Sequence, residues 1–397
     1  MRLRSFLEAW NNFFFTPQSP TPIALFRIIY GLAIMATLLL LRPDWLAWFG
    51  PDGWVTLHTM RMIEPGPRLN LFVLLPQTNA WINAFFWVFL ISAFSLTVGF
   101  LTRFNRIVVY ICLASLHQRN LEITHGGDTF LRVAGFFLMF APAGAAFSVD
   151  RLMRIWRGKE SAAVPLSSPW AQRMIQFELA LLYFVSFCWK VQGVSWVKGT
   201  ALYYVYHLDE IQRFPVPNWF LRPTILKLGT WWALVLEFSL GVLIWIKELR
   251  YPLLALGLIF HLFLEYSLNL PMFEWDVLTA YILFVEPADL TRFWNWIRDR
   301  INAHRGEALT VLYDGASERP RRIAELLRAI DVFHRLSLTD LRAQQATLDV
   351  PEGFDRTRLI VQTPSGLHQG AIALRSIASA VPLLWPLAPI ATLRRPA

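Results

Sequence analysis

The first 287 residues are divided into long apolar stretches, and that constrains the fold more than any other feature. A membrane span needs about 20 mostly apolar residues. Eight segments approach this length, some by extending through polar flanks: Pro22–Leu41, Ala80–Leu101, Ile107–Leu116, Phe130–Pro142, Ala171–Trp189, Leu226–Ile246, Pro252–Tyr266 and Val277–Val285. Composition agrees, with 55% hydrophobic residues, a mean hydropathy of +0.41 and 16% charged residues, where globular domains carry about 25%. The charge is uneven. Residues 1–287 hold 39 charged side chains, whereas the 110 residues from 288 onward hold 26. The expected fold is therefore an α-helical polytopic membrane protein of about eight spans (1–287), a linker helix (288–306) and a small α/β domain (307–397).

Several classes are excluded. Cys112 and Cys188, the two cysteines, both lie in apolar stretches, which rules out a disulfide scaffold and a cysteine-built zinc site; no metal is expected. The net charge of +9 is spread over short loops and the tail, so no basic arm suits nucleic acid. Arg2 and Arg4 lead into an amphipathic stretch, and the first apolar run is too long for the core of a signal peptide. The expected partner is the lipid bilayer.

Lysine and arginine set the orientation. With the N-terminus inside, the inner connections carry Arg103 and Arg106, then Arg151, Arg154, Arg157 and Lys159, then Lys247 and Arg250, while 267–276 carries none. Both termini are expected in the cytoplasm, the membrane being a bacterial plasma membrane. Leu290–His304 mixes Phe293, Trp294 and Trp296 with Arg292, Arg298 and Arg300, as an interfacial helix or a plain linker does.

Ionisable groups inside spans cost ~3 kcal/mol each on insertion scales and are functional candidates by default. Arg27 lies in the first span, Asp128 and Arg132 at the start of the fourth, Glu178 in the fifth, Glu237 in the sixth, and His261 with Glu265 in the seventh. Structural roles stand beside the functional ones. Asp128 and Arg132 share a helix face and can neutralise each other; Glu178 and Glu237 can hold Arg27; Lys190, at the end of the fifth span, can snorkel. In the expected topology, His125, Asp128 and Lys190 reach the same outer level. Lys190 then suits a proton acceptor, and the turn Gly193–Trp196–Gly199 follows it directly.

These segments together resemble the HTTM family, the membrane domain shared by vitamin K-dependent gamma-carboxylases and many bacterial proteins. The resemblance covers roughly residues 15–290. It rests on Phe26-Arg27, on Gly50-Pro51-Asp52-Gly53-Trp54, on Gly126-Gly127-Asp128, on Phe147-Ser148-Val149-Asp150, and above all on Tyr183 through Lys190 to Gly193, Trp196 and Gly199-Thr200-Ala201. In the carboxylases, a lysine at the equivalent span end is the base toward vitamin K hydroquinone. By resemblance Lys190 holds that place. A second catalytic residue there is a histidine near the start of the fourth span; here the matching position is Asp128, with His125 three residues earlier. The resemblance implies a reduced quinone as cofactor; Arg27, Arg132, Glu178, Trp196 and His261 are the expected substrate-binding residues.

The tail resembles the DCC family, a thioredoxin-like group with Cys-x-x-Cys just after Tyr-Asp-Gly. Here Tyr313-Asp314-Gly315 is followed by Ser317 and Pro320 at the two cysteine positions. Thiol–disulfide exchange needs both thiols, so the module is expected to be folded but redox-inert. A strand and turn are expected at Leu309–Gly315 and strands at Phe333–Leu338 and Arg358–Thr363, with helices at Arg319–Ile330 and from Ala371. Two functions follow: a quinone-dependent membrane carboxylase or epoxidase using Lys190, or a non-enzymatic protein that binds a quinone, lipid or protein partner and uses the tail for docking. No inverted repeat or broken-helix pair supports a transporter.

Overall fold

The computed structural model describes residues 2–63, 66, 68–121, 123–303, 308–342, 354–355, 357–363 and 365–387. His304, at the end of the expected linker helix, and stretches 343–353 and 388–397 of the expected tail domain lie outside the described residues. The helices in chain order are α1 (Arg2–Phe15), α2 (Thr21–Leu41), α3 (Asn79–Val98), α4 (Thr102–Arg119), α5 (Gly126–Leu138), α6 (Val149–Trp156) and α7 (Trp170–Lys190). They continue with α8 (Pro223–Val242), α9 (Lys247–Ser267), α10 (Phe273–Leu278), α11 (Pro287–Ala303), α12 (Glu318–Ile330) and α13 (Ala371–Ala380), with short unlabelled helices at Trp45–Phe49, Leu57–Ile63, Val194–Val197 and Ala201–Val205.

The chain divides into two compact units, residues 1–148 with 166–286 and residues 149–165 with 287–397. In the first, each of the eight apolar segments is helical. Four helices among the described residues are long and apolar enough to cross a bilayer: Thr21–Leu41, Asn79–Val98, Pro223–Trp245 and Lys247–Ser267. The expected count of eight is therefore met at four by length and composition. The fourth segment is a helix of 13 residues, and the eighth is α10 continued by a 3-10 turn over Thr279–Phe284. Leu40, Ile91, Val235 and Ile259 on the four long helices are exposed, as expected where the solvent is lipid rather than water.

The core of this unit is aromatic. Trp45, Phe49, Phe72, Phe86 and Phe89 are almost wholly buried, and Trp45 donates its indole N–H to the carbonyl of Ile82 (3.1 Å). Helix α7 packs against α5 and α8, and α10 packs against α5. Gly241 on α8 makes one of these contacts close, because a Cβ there would lie 2.9 Å from the Phe184 backbone nitrogen of α7. Small residues at such crossings let membrane helices approach.

The second unit holds a four-stranded sheet, β1 (Leu309–Tyr313), β2 (Leu336–Asp340), β3 (Ile360–Thr363) and β4 (Gly366–His368), ordered β2-β1-β3-β4. β1 and β2 are parallel, joined through α12; β3 runs antiparallel to β1 and to β4. Val311, Val361, Ala324, Leu327 and Ile377 form its core. The second strand starts at Leu336 rather than at the expected Phe333. The reason is Asp331, whose carboxylate accepts the backbone N–H of Arg335 (2.9 Å) and Leu336 (2.7 Å) and holds the preceding residues in a turn. Helix α11 is anchored within this unit by Trp294, whose indole donates to the carbonyl of Val332 (2.9 Å), while Phe293 and Trp296 remain exposed. From the 149–165 segment, the backbone N–H of Ala162 donates to Glu325 on α12 (2.9 Å).

Candidate functional site

Lys190 is the last residue of α7, where apolar helix gives way to a turn closed by the Gly193 N–H on the Lys190 carbonyl (2.9 Å). Its ammonium is ion-paired with Glu237 of α8 and lies 4.8 Å from the ring centroid of Trp196. Glu237 is 5% exposed, and its second carboxylate oxygen has no donor among the described residues. The site is thus a cation held between a buried acid and an aromatic face, with one acceptor to spare.

Further along the same helix lies a buried hydrogen-bonded chain. The Tyr183 hydroxyl is 2.5 Å from Nε2 of His261 and 2.7 Å from the Tyr281 hydroxyl. Nδ1 of His261 contacts the Glu274 carboxylate. With Glu274 ionised, Nδ1–H donates to it, Nε2 accepts from Tyr183, and Tyr183 accepts from Tyr281. Such a chain polarises along its length and can move a proton between its ends.

A third cluster gathers at the start of α5. Nδ1 of His125 accepts the N–H groups of Gly127 (3.1 Å) and Asp128 (3.3 Å), while Asp128 Oδ2 accepts the N–H of His125 (2.9 Å). This is a reciprocal cap, and it satisfies the orphan donors of the first turn. Nε2 of His125 meets the carbonyl of Pro271 (3.1 Å), so the neutral ring carries its proton there. Asp128 Oδ1 lies 3.3 Å from Nε2 of His117 on α4. Asp276 of α10 brings a third ligand-type atom; those of His125, Asp128 and Asp276 all lie within 4.8 Å of one another. His117, His125 and Asp128 also line a cavity of about 230 Å³ with otherwise mostly apolar walls, Leu41, Trp48 and Leu116 among them. A 150 Å³ apolar cavity admits benzene, so this one has room for a ring.

The HTTM domain matches residues 15–288 of the chain. The chain belongs to the HTTM family. Two relatives from Bacillus subtilis (strain 168) are similar over most of their length. Sporulation-delaying protein SdpB is 22% identical over 284 residues, which is 69% of this chain and 83% of that protein. The uncharacterized protein YitO is 23% identical over 277 residues, 68% of this chain and 87% of that protein. No solved structure matches.

Within the HTTM domain, the residues singled out from the sequence fall into separate groups. Lys190 and Trp196 come together, as do His125 and Asp128, but among the described residues no hydrogen bond or ion pair joins the two groups. Asp128 meets the His117 ring and the backbone N–H of His125 instead of Arg132, because the helix cap turns its carboxylate back toward the first turn. Neither Glu178 nor Glu237 holds Arg27. That guanidinium is wholly buried and donates to the carbonyls of Thr97 (3.3 Å), Ala143 (2.7 Å), Ala146 (3.4 Å) and Phe147 (2.5 Å). Glu265 pairs with Arg213 of the loop before α8. His261 has two side-chain partners, Tyr183 and Glu274.

His117, Glu274, Asp276 and Tyr281 do not stand out in the sequence, and Tyr183 does so only as part of the motif leading to Lys190. A signal for two of them was present: Phe273-Glu274-Trp275-Asp276 places two acids among aromatics directly before an apolar run. Starting the eighth span at Val277 left both acids outside it.

Proposed function

We propose that this HTTM protein binds a reduced quinone at the Lys190 end of α7, on the outer side of a bacterial plasma membrane, and uses Lys190 as base in a carboxylase- or epoxidase-type reaction. The observation that carries this reading is the ammonium between buried Glu237 and the ring of Trp196, with the free Glu237 oxygen beside it. That oxygen fits a ligand with an aromatic ring and a hydroxyl, since the hydroxyl supplies the missing donor and Trp196 a surface for stacking. Oxygenation of a bound hydroquinone supplies a base strong enough to deprotonate carbon. The rest falls to the protein. Lys190 passes its ammonium proton to Glu237, the freed amine accepts the hydroxyl proton, and Glu237 stays buried in the α7–α8 contact. Tyr183 lies seven residues back, about 10 Å along the helix, so the Tyr183–His261–Glu274 chain serves as a separate proton store.

The tail is read as a degenerate thioredoxin-like module of DCC type. The β2-β1-β3-β4 order with α12 after β1 supports it, and Ser317 and Pro320 occupy the first turn region of α12 where the thiols would stand. This favours a second reading, a non-enzymatic membrane protein whose HTTM domain binds a quinone or lipid while the tail docks a protein partner. The sporulation-delaying name of one relative is compatible with that reading, which needs no chemical step.

Lipid extraction and mass spectrometry of the purified full chain test for a copurifying quinone. Lys190→Ala is expected to abolish ligand-dependent proton uptake with little loss of thermal stability. Lys190→Arg is expected to fail equally, because guanidinium stays protonated at any working pH. An Arg variant that works as wild type removes Lys190 as a base and leaves the binding reading.

A further inference from the structure

We infer that His125, Asp128 and Asp276 bind one divalent transition-metal ion, with His117 supporting Asp128 from behind. The helix cap accounts for His125 and Asp128 but not for Asp276. That residue is 0% exposed, and neither of its carboxylate oxygens has a hydrogen-bond donor among the described residues. An isolated buried carboxylate is penalised by several kcal/mol unless it is neutralised or meets a cation. It is also aimed at the cluster, since its ligand atom lies within 4.8 Å of those of His125 and Asp128.

The local backbone is built for this approach. A Cβ at Gly127 would lie 3.1 Å from the Cβ of Asp276 and 3.0 Å from the His125 ring. Any larger residue would hold α10 off the first turn of α5. Glycine there lets an acid distant in sequence reach the histidine and the capping aspartate.

The donor set selects the ion. One imidazole nitrogen and two carboxylate oxygens suit Zn²⁺, Mn²⁺ or Fe²⁺ better than Ca²⁺, which collects six to eight oxygens. Donors in a tetrahedral site with bonds of 2.0–2.1 Å stand about 3.3 Å apart, so loading contracts the present arrangement. A ring contact of His125 then gives way; those it makes, 3.1 to 3.3 Å long, are weak enough to be exchanged. Nε2 of His117, 3.3 Å from Asp128 Oδ1, can orient that carboxylate in the manner of an outer-shell partner. Three protein ligands leave a position open, and the cavity lined by His125 and Asp128 gives a small ligand access to it.

The test uses the full chain in detergent, stripped with a chelator, incubated with Zn²⁺ or Mn²⁺, desalted and assayed by elemental mass spectrometry. One metal per chain and a higher melting temperature on loading are expected. Asp276→Asn is expected to retain less than about a tenth of that metal and to lose the metal-dependent shift, while its metal-free form melts no lower than the wild type's. X-ray absorption of the loaded wild type guards against a variant that fails to fold; it should show nitrogen and oxygen ligands including imidazole. Substoichiometric metal in the wild type, full retention by Asp276→Asn, or a sulfur ligand overturns the proposal. None of these readouts depends on a quinone or on Lys190.

Discussion

The two units treat buried charge differently. In the HTTM unit, the buried acids Glu237, Glu274 and Asp276 each keep at least one oxygen without a donor among the described residues. In the second unit, buried Asp331 accepts two backbone N–H groups, and buried Arg151 is held by Glu160 and by the carbonyls of Ser161 and Ala162. Satisfied charges stabilise a fold, whereas unsatisfied ones are retained where a ligand or a proton completes them. The first unit thus carries the open chemistry. The second holds its buried charges within a structural framework.

The strongest way to break this contrast is at Arg27, a buried charge of the first unit whose two terminal nitrogens both donate to carbonyls. Its four carbonyl acceptors span α3 and the loop after α5. Arg27→Ala strands them and is expected to destabilise the HTTM unit by about 3–5 kcal/mol. Arg27→Lys should rescue little, because a compact ammonium cannot reproduce the planar fork. Calorimetry of the full chain should show the HTTM transition falling while that of the second unit stays in place. A joint shift of both would mean that they do not unfold separately.

The mirror experiment is Asp331→Ala in the second unit. Two buried N–H donors lose their acceptor, and a loss of about 2–3 kcal/mol is expected. Asp331→Asn retains one strong acceptor oxygen and should lose less. Hydrogen exchange at Arg335 and Leu336 reads the effect directly. Unchanged protection at these two amides in the Ala variant would show that the turn before β2 does not depend on Asp331.

The sequence made the helices legible because apolar length is a local property, and each of the eight segments contains one. Three of the four strands were legible for the same reason, with β2 offset by Asp331, whereas the three-residue β4 was too short to leave a pattern. The ionisable residues inside the helices were also visible one by one. Their partners were not. Lys190 meets Glu237, His261 meets Glu274, and Asp128 meets His117, each across a separation in sequence that only packing closes. Arg27 was assigned acidic partners because backbone carbonyls, its actual acceptors, leave no trace in a sequence.

The smallest expected effect lies at Asp314, in the turn between β1 and α12. Its carboxyl is held below the ordinary aspartate range, first by the backbone N–H of Ala316, and further by the Ser317 hydroxyl and the Arg342 guanidinium. A carboxyl depressed in the folded state contributes stability above its unfolded pKa of about 3.9 and loses it as the pH falls through the folded value. The wild type should therefore melt slightly above Asp314→Asn at pH 7. The difference should narrow below about pH 4 and vanish in stronger acid, where both side chains are neutral. It stays small because the turn is open to solvent and an asparagine oxygen can still accept from Ala316. A difference that persists undiminished in acid would assign the effect to side-chain shape instead of charge. The anion at the head of α12 would then have no part in holding the turn.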